Sequence, residues 1–108
     1  MAVTLHTMSG SPYGWRVWLA LVHGNVPHAV RTLSCDAGDF AAPGFAALTP
    51  RRRVPVIEQG GFVLCESAAT VAHIADTWPG GPPLFPPDGR QRAIERRMIR
   101  EADRYLAV

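Results

Sequence analysis

The chain has no lysine. Its eleven basic residues are all arginine, set against nine acidic ones for a net charge of +2 over 108 residues. So small an excess does not by itself argue for nucleic acid. Where an anion has to be held, however, arginine offers a two-pronged grip that lysine lacks. Cysteine is scarce: Cys35 and Cys65 stand far apart with no metal-like spacing, and the four histidines are scattered. That pattern argues against a zinc centre and against a disulfide scaffold, and it favours a reducing cytoplasm. No apolar run reaches the roughly 18 residues that would read as a membrane span, and no basic-then-apolar leader opens the chain. What is present is a globular composition, 47% hydrophobic and 19% charged. The length suits one domain, or one domain and a piece of another, with a core of moderate size. The expectation is a soluble, cytoplasmic protein without metal, nucleic-acid or membrane partners.

Hydrophobic periodicity sets out the elements. Residues 2–7 predict a first strand, and Tyr13 to about His23 a helix with Val17, Ala20, Leu21 and Gly24 on one face. Gly24-Asn25 closes that helix as a left-handed cap would. His28 to Leu33 predicts a second strand; Ser34 to Pro50 is broken by Gly and Pro and predicts an irregular helix. Val54 to Glu58 and Phe62 to Cys65 predict a hairpin around Gln59-Gly60-Gly61. Glu66 to Trp78 predicts a helix whose apolar face is Ala69, Val71, Ala72, Ile74, Ala75 and Trp78. The stretch 79–88 is rich in Pro and Gly and reads as a stiff linker, and residues 89–108 read as an arginine-rich helix. In that last helix Ile94, Met98, Ala102 and Tyr105 line one side, which is expected to be left partly uncovered. The pattern runs to the last residue without a terminator, so the chain is expected to be the start of something larger. The order predicts an α/β fold, a small mixed sheet with helices on both faces.

Ser11-Pro12-Tyr13-Gly14 sits between the first strand and the first helix, where a dithiol oxidoreductase carries Cys-Pro-Tyr-Cys. Ser11 at a helix start has an ordinary role as a cap, worth about 1 kcal/mol. The same position suits a second one. Helix N-termini carry partial positive charge and spare N–H donors, so they favour a bound anion. A hydroxyl there can donate to a thiolate that arrives with a substrate. A free thiol titrates near ~8.5, and each unit of lowering corresponds to ~1.4 kcal/mol of preference for the anion. Ser11 would then steady the sulfur, and Gly14 would remove the resolving partner. Ser9 is a second candidate hydroxyl.

Three other stretches complete the pattern. Val54-Pro55 opens a strand. Either Pro55 merely begins an edge strand, or it is cis, which only about 5% of such bonds are, and turns the Val54 backbone towards a bound peptide. Glu66-Ser67 opens a helix. Either the pair caps it, or Ser67 holds a carboxylate while Glu66 pairs with an ammonium. Arg51-Arg52-Arg53 is ordinarily a solvated loop, though one of these residues can also grip a terminal carboxylate.

Taken together, the segments 11–17, 50–56 and 62–69 and the linker Leu84-Phe85-Pro86 resemble the N-terminal domain of cytosolic glutathione transferases. The resemblance covers almost the whole chain and rests on the ordered set rather than on any one piece. It implies a thioredoxin-like βαβ-ββα domain with a mixed four-stranded sheet at 1–78, a linker at 79–88, and at 89–108 the first helix of a truncated all-helical domain. It implies glutathione as co-substrate, an electrophilic small molecule as the other reactant, and a homodimer at full length. By the same resemblance Ser11 matches the thiolate-activating serine of the theta- and zeta-like classes. Pro55 matches the cis-proline, Val54 the backbone clamp, and Glu66 and Ser67 the γ-glutamyl binders. Arg53 is assigned to the glycyl carboxylate, with Arg52 as the alternative. Tyr13 is set aside, because tyrosine-type relatives carry theirs near the end of the first strand. Gly14 departs from the serine or alanine of many relatives, and the missing helical domain removes most of the electrophile pocket. The contrasting reading is a non-catalytic, transferase-like interaction module whose arginine-rich last helix meets a partner. A glutaredoxin-like reductase is disfavoured by the absence of a turn cysteine.

Overall fold

The computed structural model describes residues 2–34, 36–49, 51, 53–78 and 81–106. Four strands, β1 (Val3–Met8), β2 (His28–Leu33), β3 (Val56–Gln59) and β4 (Phe62–Cys65), form one sheet in the order β2-β1-β3-β4. β1 runs parallel to β2, with Val3 opposite His28, and antiparallel to β3, with Leu5 opposite Ile57. The β3–β4 hairpin turns through Gly60 and Gly61, both at positive φ, as the sequence leads one to expect.

Neighbouring residues on a strand point to opposite faces, and the sheet uses both. Val3, Leu5 and Ile57 pack against Val17, Ala20 and Leu21 of α1 (Pro12–His23) and Val71 and Ile74 of α3 (Ser67–Thr77). Leu33 and Val56 face the other way, onto Phe45 of the short α2 (Pro43–Leu48). A 3-10 turn at Asp39–Ala41 precedes α2, so the irregular region resolves into two short helical pieces.

α1 begins with Pro12 in its first turn and Ser11 as its cap. It ends in a Schellman arrangement: the Asn25 N–H bonds the Val22 carbonyl and the Val26 N–H bonds that of Leu21. The left-handed residue is Asn25, at φ 54°, while Gly24 stays at φ −81°. A Cβ on Gly81 would fall 2.8 to 2.9 Å from the Gly24 backbone, so the glycine at 81 lets the linker lie against the end of α1.

The buried side of α3 is Ser67, Thr70, Val71 and Ile74: Val71 and Ile74 go inside as hydrophobicity predicts, while Ser67 and Thr70 rather than the alanines complete the face. Thr70 can be fully buried because its hydroxyl donates to the Glu66 carbonyl at 2.8 Å. α4 (Gly89–Glu101) is capped by Asp88, which accepts the Gln91 N–H at 3.0 Å, and runs into a π-turn at Ala102–Leu106. None of its side chains is fully buried; Ile94 and Met98 are exposed, as expected. On α1, Trp15, Trp18, Leu19 and Val22 form an exposed apolar face.

Candidate functional site

The start of α1, the loop before β3 and the start of α3 all lie at one end of the sheet. Ser11 is 7% exposed, and its Oγ accepts the Gly14 N–H at 3.1 Å. A hydroxyl that accepts keeps its own proton free to donate. Gly14 is not simply a missing cysteine, because Thr7 Oγ1, on the end of β1, fills the space a Cβ there would need. That hydroxyl is buried and has no hydrogen-bond partner among the described residues.

A cleft of about 270 Å³ opens alongside, lined by Tyr13, Thr49, Arg51, Arg53, Val54, Pro55, Cys65, Glu66, Ser67, Arg100 and Asp103. The Val54–Pro55 peptide bond is cis. Glu66 adopts φ 72°, ψ 109°, a conformation that non-glycine residues rarely accept. Its carboxylate meets Arg51 at 3.3 Å on the open rim, where both side chains are solvated. Ser67, by contrast, is 6% exposed, and its Oγ accepts from Arg16 Nη1 at 3.0 Å. Arg16 Nη2 in turn pairs with Asp103 Oδ1 at 2.8 Å. Among the described residues three arginines and two carboxylates therefore border the cleft, a lining that suits a small ligand carrying charges of both signs with a net negative balance. Among the described residues no group of three His, Cys, Asp or Glu could hold a metal.

The family model described as the glutathione S-transferase N-terminal domain matches residues 5–83. The chain belongs to this family. It is 29% identical to rat glutathione S-transferase theta-1 over 91 residues, which is 84% of this chain and 35% of that one. It is 27% identical to maleylacetoacetate isomerase of Dictyostelium discoideum over 97 residues, 88% of this chain and 44% of the relative. Among solved structures it is similar to a diazinon-metabolizing glutathione S-transferase of the silkworm Bombyx mori. There the TM-score is 0.89 at 31% identity, over 96% of this chain and 52% of that one. The chain spans about half the length of such proteins, or less.

Of the residues singled out from sequence, this transferase-family domain brings Arg53, Val54, Pro55, Glu66 and Ser67 into one cleft. Ser11 is close in the chain but stands outside the cleft lining, buried under the first turn of α1, and Ser9 is exposed. Arg52 and Cys35 lie outside the described residues. Sequence reasoning missed Thr49, Arg100 and Asp103, and it set aside Tyr13, which lines the cleft with the Arg16 guanidinium 5.4 Å from its ring centre. Cys65 is half-buried; it packs against the α2-side core and also borders the cleft. For Asp103 no local signal existed, because the hydrophobic periodicity of the last helix picks out Ile94, Met98 and Ala102 instead. Among the described residues no helix is long and apolar enough to cross a membrane.

Proposed function

We propose that this domain binds glutathione and that the full-length protein uses it as a glutathione transferase, presenting the thiolate for attack on an electrophilic small molecule. The observation that carries the reading is that Arg53, Val54, Pro55, Glu66 and Ser67, drawn from two separate stretches of chain, share one cleft of mixed charge. Glutathione carries two carboxylates and one ammonium, and the balance of three arginines to two acids among the described residues matches it. In this reading Ser67 takes the γ-glutamyl carboxylate and Glu66 the ammonium. The Val54 backbone pairs with the cysteinyl unit beside Pro55, and Arg53 takes the glycyl carboxylate. Ser11 steadies the sulfur. Support for that role is its place at the N-terminus of α1 and a hydroxyl proton that the cap leaves uncommitted. The thiolate is the nucleophile, and the serine contributes electrostatics without a covalent step.

Residues 1–78 are the glutathione-binding unit, 79–88 a linker, and 89–108 the first helix of a second, helical unit. The cytoplasmic setting and the homodimer at full length follow from the family resemblance alone, and sedimentation of the full-length protein tests the dimer.

The deciding measurement is titration of the domain with glutathione at neutral pH, read by calorimetry and by near-ultraviolet thiolate absorbance. Binding with a thiolate signal is expected. The signal disappears in Ser11→Ala and persists in Ser9→Ala. Binding that survives Ser11→Ala with its absorbance intact removes Ser11 from the chemistry. No binding at millimolar glutathione overturns the reading itself.

A further inference from the structure

Thr7 follows Val3 and Leu5 on the face of β1 that packs against α1, and it is 3% exposed. Its Oγ1 is buried without a hydrogen-bond partner among the described residues. Proteins keep few buried hydroxyls unpaired, because each one costs stability. Filling the space over Gly14 asks for a small atom and not for a proton donor, so packing alone does not account for the hydroxyl.

The same spot shows what lies within its reach. The position that a Gly14 Cβ would take is 3.2 Å from Thr7 Cβ and 3.4 Å from Ser11 Cβ. Two hydroxyl-bearing side chains thus converge there, one from the end of β1 and one from the cap of α1. In this structure they are neighbours without a bond between them. A serine hydroxyl has one proton and two lone pairs. Ser11 Oγ takes the Gly14 N–H on one lone pair at 3.1 Å, which leaves the other lone pair and the proton. When that proton is given to a thiolate, charge is drawn onto the serine oxygen, and it becomes a stronger acceptor. It then calls for a donor at short range that has no competing partner, and Thr7 holds one. A bond from Thr7 fills the second lone pair and leaves the Ser11 O–H one direction, outwards. Such a bond is stronger with the anion present than without it, so it favours the charged form of the sulfur.

We propose that Thr7 is a positioning residue for the ligand's sulfur: on binding, its hydroxyl donates to Ser11 Oγ, whose own proton is given to the thiolate. This rests on the glutathione reading above and adds to it a strand residue that the reading does not use. Thr7 touches no ligand atom and acts only through Ser11.

The test follows the thiol of bound glutathione by its near-ultraviolet absorbance as the pH is raised. Thr7→Ser and Thr7→Ala differ from each other only in the oxygen. Thr7→Ser is expected to titrate with wild type. Thr7→Ala is expected to titrate about 0.7 units higher, which is about fivefold less thiolate at any pH well below the midpoint. In a Ser11→Ala background, where the titration lies at higher pH, Thr7→Ala is expected to move it no further. Thr7→Val takes the place of Thr7→Ala if the melting curve shows that Thr7→Ala does not fold. Thr7→Ser and Thr7→Ala titrating alike, or an equal shift with and without the Ser11 hydroxyl, overturns the role of Thr7 and leaves the glutathione reading standing. Failure of wild type to bind glutathione at all is the distinct result that removes both.

Discussion

Thr7 Oγ1, at the end of β1, occupies the space that a side chain on residue 14 would need. Strand and helix meet at that point without a gap, directly beneath the first turn of α1 and beside Ser11. The glycine is thus a packing requirement, and a helix start that is weaker by up to ~1 kcal/mol than with alanine is accepted in exchange. Gly14→Ala is expected to destabilise the domain by about 1–3 kcal/mol through overpacking. In a Thr7→Ala background the same change is expected to cost less than about 1 kcal/mol. Urea denaturation of the four proteins checks this, and equal costs in both backgrounds would show that the contact is not the reason for the glycine.

On the proposed function, Glu66 sets local stability against binding. A non-glycine residue held at positive φ costs on the order of 1–3 kcal/mol, and its exposed contact with Arg51 returns little of that. Glu66→Gly is expected to raise the melting temperature while weakening glutathione. The two readouts moving in the same direction would separate the backbone geometry from any binding role of the carboxylate.

His6 is 3% exposed on β1, and its Nε2 lies 2.8 Å from Glu58 Oε1 on β3. Its other nitrogen, Nδ1, is buried without a partner among the described residues. Removing the carboxylate leaves the whole ring unsatisfied, so Glu58→Ala is expected to cost about 1–3 kcal/mol. Glu58→Gln keeps an oxygen in reach and is expected to cost less. Denaturation midpoints compare the two; an equal loss in both would mean that an oxygen in reach is not what the ring requires, and no loss in either that the pairing contributes nothing.

The linker contact gives a fourth prediction. Gly81 approaches the Gly24 backbone more closely than any Cβ permits. Backbone cannot step aside as a side chain can, so Gly81→Ala is expected to lift the linker from the end of α1. Hydrogen exchange would show this as faster amide exchange around 81–88 than in wild type, and unchanged rates would contradict it.

Much of the architecture was readable from residue order. The bounds of β2 and the glycine hairpin agree with the expectation, because period-two alternation and turn glycines are local signals. The buried face of α3 was readable only in part: Val71 and Ile74 go inside as expected. Alanine scores as apolar and threonine as polar, but Thr70 satisfies its hydroxyl on its own helix and goes inside, while Ala69 stays out. The left-handed cap after α1 was legible as the pair Gly24-Asn25; glycine is the usual occupant, but of the two it is Asn25 that takes the positive φ. In the cleft, Val54, Pro55, Glu66 and Ser67 were legible because they fall in ordered motifs. Tyr13, Arg16 and Asp103 were not, because their roles arise only when α1, α3 and the turn after α4 converge. That convergence depends on how far the linker lets α4 return, which no local pattern encodes.

Two of the three indoles in this chain, Trp15 and Trp18, stand on the solvent side of α1, while Trp78 leans on the core at the end of α3. The folded protein should therefore emit much like free tryptophan in water, and its spectrum should shift little on denaturation. What change there is will come mainly from the far end of α3, so intrinsic fluorescence follows that corner of the molecule rather than the fold as a whole.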